Sequence, residues 1–222
     1  STSGDEWDAF VAKYSPGGAH VWSQRFGDVD LEAGLCIKAD AADNVLVAGY
    51  FAGTVSFGGD PLVSDGADVD IFLAKYDPDG SHQWSRRFGG TSYETPCGLA
   101  VDASSNVLLT GYFYGSANFG GASNLVSDGG IDVFFAEYNA QGYHLSSQCH
   151  GNIAGDAGLA VTVDGSGNRY LTGYFAGPVN FGGGELVALG SPDMFIAKYG
   201  STATAVGDEP SLDALSLTAV PN

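Results

Sequence analysis

Apolar and polar positions alternate along this chain in short bursts, each closed by Gly, Asn, Asp or Ser. The middle of the chain shows the pattern best. Cys97-Gly-Leu-Ala-Val-Asp102 is short and apolar, and Ala103-Ser-Ser-Asn106 supplies turn residues. Val107-Leu-Leu-Thr-Gly-Tyr-Phe113 is β-branched and aromatic. After a glycine-rich stretch, Ile131-Asp-Val-Phe-Phe-Ala-Glu-Tyr138 forms a third burst. Asn139-Ala-Gln-Gly142 turns the chain into a fourth, Tyr143-His-Leu-Ser-Ser-Gln-Cys149. Bursts of this length and composition predict strands, and no helical period interrupts them. We label the four strands A to D. The predicted fold class is all-β, a β-propeller-like repeat of antiparallel four-stranded blades, with three full repeats and partial blades at the ends.

The pattern recurs at a fixed interval. Asp-x-Phe-x-Ala-Lys-Tyr ends at Tyr14, Tyr76 and Tyr199, and as Asp-Val-Phe-Phe-Ala-Glu-Tyr at Tyr138, giving spacings of 62, 62 and 61 residues. Gly-Tyr-Phe followed by a Phe-Gly-Gly recurs over Gly49–Gly59, Gly111–Gly121 and Gly173–Gly183. Fixed-period self-similarity marks a repeat architecture, in which a residue present in every copy is read first as scaffold. The expected organisation is a repeat domain over 1–200, with units of about 8–69, 70–131, 132–192 and a partial 193–200, and a tail or edge strand over 201–222. Strands then run C-D (Trp7–Phe26), A-B-C-D, A-B-C-D, A-B-C. The long B-to-C connection, carrying Phe57, Phe119 or Phe181, is expected to form a small hairpin over the blade edge.

Asp-x-Phe-x-Ala-Lys-Tyr-x-Pro-x-Gly-x-x-x-Trp-Ser, then Phe-Gly, then Ala-Val-Asp-x-x-x-Asn-Val-x-x-Thr-Gly, resembles the bacterial β-propeller repeat family known as SBBP. The residues that carry it are Asp8–Trp22, Asp70–Trp84, Ala100–Gly111 and Ala160–Gly173. The resemblance implies a propeller in a large extracellular or cell-surface bacterial protein, and it implies no particular activity. Departures gather in the third unit, where Glu137 replaces Lys, Ser146 replaces Trp and His150 replaces Phe. The tail weakly resembles the opening of a type IX secretion sorting domain, and Ala219-Val-Pro-Asn222 stops where that motif would start.

Propellers usually close with four to eight blades. Three units and a leading half leave strand edges open, and open edges template further pairing. The chain is therefore expected to be a fragment of a longer propeller, to close a ring with other copies, or to add head to tail into a fibre. Leu212–Val220 alternates well enough to serve as a missing D strand.

Composition narrows the partners. With 34 Gly, 44% hydrophobic and 15% charged residues, the chain is folded rather than disordered. Its net charge of −18 repels phosphate backbones, so neither nucleic acid nor an anionic membrane is expected as a partner. No apolar run approaches the roughly 18 residues of a spanning helix. The chain opens Ser1-Thr2-Ser3-Gly4 without Met, which suits a removed leader or a piece of something longer. Cys36, Cys97 and Cys149 do not form a disulfide framework. They read as buried thiols, with a Cys36–Cys97 bridge between units as the alternative.

Candidate sites are few. Tyr50, Tyr112 and Tyr174 on strand B resemble a carbohydrate-stacking platform, against the simpler reading of packing between blades. Asp65, Asp68, Asp70, Asp128 and Asp132 form oxygen-rich loops that are candidates for Ca²⁺, although no EF-hand spacing is present. His20, His82 and His144 occupy one column on strand D, too far apart for a shared ion. Asp40, Asp102 and Asp164, each with Asn four residues on, read as Asx turns. Glu32 and Glu94 could supply carboxylate pairs, but no catalytic motif accompanies them and no enzyme is expected. The expected function is a non-enzymatic extracellular structural or adhesive protein that self-assembles, with itself or further repeats as partner. The alternative is a carbohydrate- or calcium-binding module.

Overall fold

The computed structural model describes residues 7–27, 30–66, 68–190 and 192–200. The tail strand and the sorting-domain resemblance fall outside them. Every regular element among the described residues is a strand. A C-D pair comes first, β1 (Ala9–Tyr14) and β2 (His20–Phe26). The first full blade holds β3 (Glu32–Ala39), β4 (Val45–Phe51), the hairpin β5 (Thr54–Val55) and β6 (Leu62–Val63), then β7 (Asp70–Tyr76) and β8 (His82–Gly90). The second holds β9 (Glu94–Val101), β10 (Val107–Phe113), the hairpin β11 (Ser116–Asn118) and β12 (Leu125–Val126), then β13 (Asp132–Tyr138) and β14 (His144–His150). The third holds β15 (Ala157–Val163), β16 (Arg169–Phe175), the hairpin β17 (Pro178–Asn180) and β18 (Glu185–Val187), then β19 (Asp193–Tyr199).

In the first two full blades the order across the sheet is D-C-B-A, in the third it is C-B-A among the described residues, and neighbours are antiparallel. Each unit of 61 or 62 residues, counted from strand C, therefore supplies the C-D half of one sheet and the A-B half of the next. Every A strand carries a bulge at the same column, next to Leu35, Cys97 and Leu159. The B-to-C hairpin forms as expected, but it also reaches the blade before it. β11 pairs with the end of β8 through Ala117↔Gly90 and Asn118↔Gly89, so one sheet continues into the next blade's hairpin.

The cores lie between blades. One joins Ala9, Val11 and Phe26 to Val47, Phe57 and Phe72. A second joins Ile71, Leu73 and Phe88 to Leu109, Phe119 and Phe134. A third joins Val133 and Phe135 to Leu171, Phe181 and Phe195. Strands β7 and β13 are buried at every position because both of their faces meet a neighbouring blade.

Two contacts repeat at these junctions. The last aromatic of strand D lies on the Tyr that ends strand C of the next blade, with ring centroids 5.5 Å apart for Phe26–Tyr76 and 4.4 Å for Phe88–Tyr138. At the third junction His150 takes this place, and its Nε2 lies 3.1 Å from the Tyr199 hydroxyl while its Nδ1 lies 3.0 Å from the Asn180 carbonyl. Nδ1 can only donate to a carbonyl, and burial lowers the ring's pKa; in the neutral form that burial favours, Nε2 accepts from Tyr199. The second contact is a tryptophan latch. The indole N–H of Trp22 donates to the Pro78 carbonyl at 3.0 Å, and that of Trp84 to the Ala140 carbonyl at 3.1 Å. Each indole lies on a turn glycine with positive φ, Gly80 (+88°) or Gly142 (+75°), where a Cβ would come within 2.9 Å of the ring. Glycine is required there both by the backbone and by the ring above it.

Candidate functional site

The polar groups of the molecule gather at the same junctions. Asp70 begins β7 fully buried, and its Oδ2 accepts from the Asp65 amide at 3.0 Å and from Arg87 Nη1 at 2.6 Å. Glu94 begins β9, also fully buried, and its Oε2 accepts from the Gly90 amide at 3.2 Å. Gly89 sits between them, where a Cβ would lie 2.6 Å from an oxygen of each carboxyl group. Gly27 stands in the same way between Asp8 and Glu32. Burial pushes the Glu94 carboxyl up to about 8, and the negative charge of Asp70 and a hydrogen bond to it add to the rise. Near neutral pH Glu94 therefore keeps its proton beside Asp70.

The third junction differs. Cys149 replaces the arginine of the Arg25 and Arg87 column, and Asp132 faces Asp156. Asp156 is satisfied by the Ala176 amide at 2.8 Å and by the Asn152 amide and side chain at 2.9 and 3.2 Å. Burial raises Asp132 to about 6, and the charges of Asp156 and Asp128 add to it. A compensating exchange accompanies this change. Lys75 pairs with Asp40 at 2.8 Å inside the first blade. In the second blade Glu137 stands in that lysine's column and pairs with Arg169 of the third, which stands in the column of Val45 and Val107.

The expected Asx turns are present. Oδ1 of Asp40, Asp102 and Asp164 accepts the amides two and four residues on at 2.8–3.0 Å, and each following Asn donates its side-chain amide to the same carboxylate. Burial works to raise Asp40, yet Lys75 and Asn44 hold it down to about 2. The histidines pack rather than ligate. His82 lies over Gly58 and Gly59, and His144 over Gly120 and Gly121, each edge-on to the Tyr ending its own strand C.

The candidate calcium residues are divided. Asp70 and Asp132 turn inward to cap the loop amides of Asp65 and Asp128, while the side chains of Asp65, Asp68 and Asp128 are exposed. Among the described residues no group of three or more His, Cys, Asp or Glu is gathered to hold a metal ion. Tyr50, Tyr112 and Tyr174 are half-buried, and the Phe that follows each is fully buried. Burial raises the Tyr174 hydroxyl, with Tyr112, Cys97, Asp156 and Tyr93 close enough to contribute. The three thiols are free and half-buried.

One feature escapes a reading by columns. Tyr93 and Tyr114 stack with centroids 6.0 Å apart and planes 12° from parallel, and both are exposed, at 39% and 42%. Their columns hold Leu31 and Gly155, and Ala52 and Ala176, so repetition does not impose them. Departure from the column is the signal that finds them.

Residues 83–120, which span β8 to β11, match the model of the SBBP β-propeller repeat family. The chain is a β-propeller-like repeat protein. It is also similar to two larger proteins. An uncharacterized WD repeat-containing protein, L264, of Acanthamoeba polyphaga mimivirus is 24% identical over 82% of this chain and 16% of its own length. The regulatory protein FlaEY of Caulobacter vibrioides is 27% identical over 72% of this chain and 17% of its own. This β-propeller-like chain thus spans about a sixth of each relative.

Proposed function

We propose that this chain is a non-enzymatic extracellular structural module that self-assembles, its end blades docking and completing one another between copies. A further repeat of a longer chain would meet the same surfaces. The extracellular setting rests on the repeat resemblance alone.

One observation carries the reading. Columns that are buried at every internal junction are bare at the two ends. Phe10 is 74% exposed, whereas Phe72, Phe134 and Phe195 of the same column are buried. Met194 and Ile196 are 64% and 53% exposed, whereas Ile71, Leu73, Val133 and Phe135 are buried. In the internal geometry the Met194–Ile196 side faces a following blade and the Phe10–Tyr14 side a preceding one. Apolar surface of this kind favours association by about 25 cal/mol for each Å² removed from water. The end faces are complementary to each other by construction, because they are two halves of one repeated interface.

Light scattering across a concentration series tests the reading, with electron microscopy to distinguish rings from fibres. Wild type is expected to associate, and Phe10→Asp or Ile196→Asp to disperse it. A wild-type protein that stays monomeric at every concentration would remove self-assembly as the function.

A further inference from the structure

We infer that the stacked Tyr93–Tyr114 pair, flanked by the exposed carboxylates of Asp68 and Asp128, is a binding site for cationic side chains presented by a basic peptide segment. The loops that carry these residues are held together by the backbone. The Glu94 amide donates to the Val69 carbonyl at 3.1 Å, and Gly66 lies against the backbone of Thr91. Gly66 and Val69 thus lie alongside Thr91 and Glu94, which sets the Asp68 backbone beside that of Tyr93. On the other side the Tyr114 amide donates to the Tyr93 carbonyl at 3.2 Å, Gly115 donates to the Ser127 hydroxyl at 2.9 Å, and the Ser127 amide returns a bond to Gly115 at 2.8 Å. Asp128 therefore lies next to the turn that follows Tyr114. The half-buried Tyr112 and Tyr174 lie nearby, with Tyr93 and Tyr112 close enough to act on the Tyr174 hydroxyl.

The chemistry selects a cation. An aromatic face attracts an ammonium or guanidinium through its quadrupole. The four ion pairs among the described residues use Asp8, Asp40, Asp70 and Glu137, so none engages Asp65, Asp68 or Asp128. A net charge of −18 steers basic partners toward the molecule and anionic ones away. A neutral sugar would stack on the rings and donate hydroxyls to the carboxylates but gain nothing from their charge, whereas a basic side chain is drawn by both. A peptide can set one basic side chain on the rings and its neighbours on the acids.

The test uses a fluorescein-labelled hexa-arginine peptide and fluorescence anisotropy on the intact chain. Tyr93→Leu with Tyr114→Ala installs the residues of the first repeat's columns, Leu31 and Ala52, which the fold already accommodates. That variant is expected to keep the wild-type melting temperature and to bind about tenfold more weakly. Asp68→Asn with Asp128→Asn should weaken binding similarly, while the charge-matched Asp43→Asn with Asp79→Asn should leave it unchanged. Equal weakening by both charge pairs, or undiminished binding by the tyrosine variant, would show diffuse attraction to an acidic surface and overturn the site. Displacement of the peptide by neutral cellotetraose would overturn it in favour of sugar.

Discussion

At the residue scale, burial decides the charge state of the junction acids more than their partners do. Arg87 lies 2.6 Å from Asp70, yet Asp70 is still raised, because desolvation outweighs the ion pair. For Glu94 the consequence has a definite sign. Its folded value of about 8 lies above the ordinary 4.5, so between those limits the folded state holds the extra proton. Stability is then expected to fall as pH rises from about 4.5 to about 8. Glu94→Gln keeps a donor toward Asp70 and cannot ionise, so it should flatten that decline and raise the melting temperature at pH 8. Calorimetric melts across the interval check it, at roughly 2–4 °C per kcal/mol recovered. His150 has the opposite sign. Burial lowers it from 6.5, so the unfolded chain takes up the proton first and stability falls as pH drops below about 6.5. His150→Phe, which restores the aromatic of its column, should remove that acid-side loss. Melts of this variant between pH 7 and 5 would then follow a shallower slope than wild type.

At the element scale, the tryptophan latch ties strand D of one blade to the C-D turn of the next, and the chain contains its own control. Gly18, Gly80 and Gly142 share one turn column with φ of +82°, +88° and +75°, but nothing lies within 4 Å of a Cβ at Gly18. Alanine at Gly18 should cost only the left-handed backbone, about 1–2 kcal/mol. At Gly80 or Gly142 it also meets the indole, and the cost should reach about 2–5 kcal/mol. Urea unfolding of the three variants measures the difference, which is the latch itself. Strands such as Val107–Phe113 were legible because β-branched and aromatic runs end at turn residues, a purely local signal. So were the Asx turns at Asp40, Asp102 and Asp164, whose partners are at most four residues away. The latch was not legible, because Trp22 meets a carbonyl 56 residues on. Nor was the Asp70–Glu94 pair, since nothing local shows that strand starts on successive blades converge on one glycine. The acids read as calcium ligands divided for a related reason: sequence places Asp65, Asp68 and Asp70 together, while the fold turns Asp70 inward and its neighbours out.

At the scale of the whole molecule, the two exposed end faces are different surfaces, so in the proposed assembly contact between copies would be heterologous. This predicts an outcome that a symmetric dimer would not give. Phe10→Asp spoils one face and Ile196→Asp the other, and each variant alone should be monomeric. An equimolar mixture retains one good face on each partner and should yield dimers that grow no further, as sedimentation velocity would reveal. Dimers formed by either variant alone would replace head-to-tail growth with a symmetric interface. The offset between sequence unit and sheet has a last consequence. Because each copy opens in one sheet and finishes in the next, duplicating a single stretch of coding sequence adds a blade already bonded on both sides. Such a gene can lengthen by whole units, and no intermediate in that history would carry a half-made sheet in its interior.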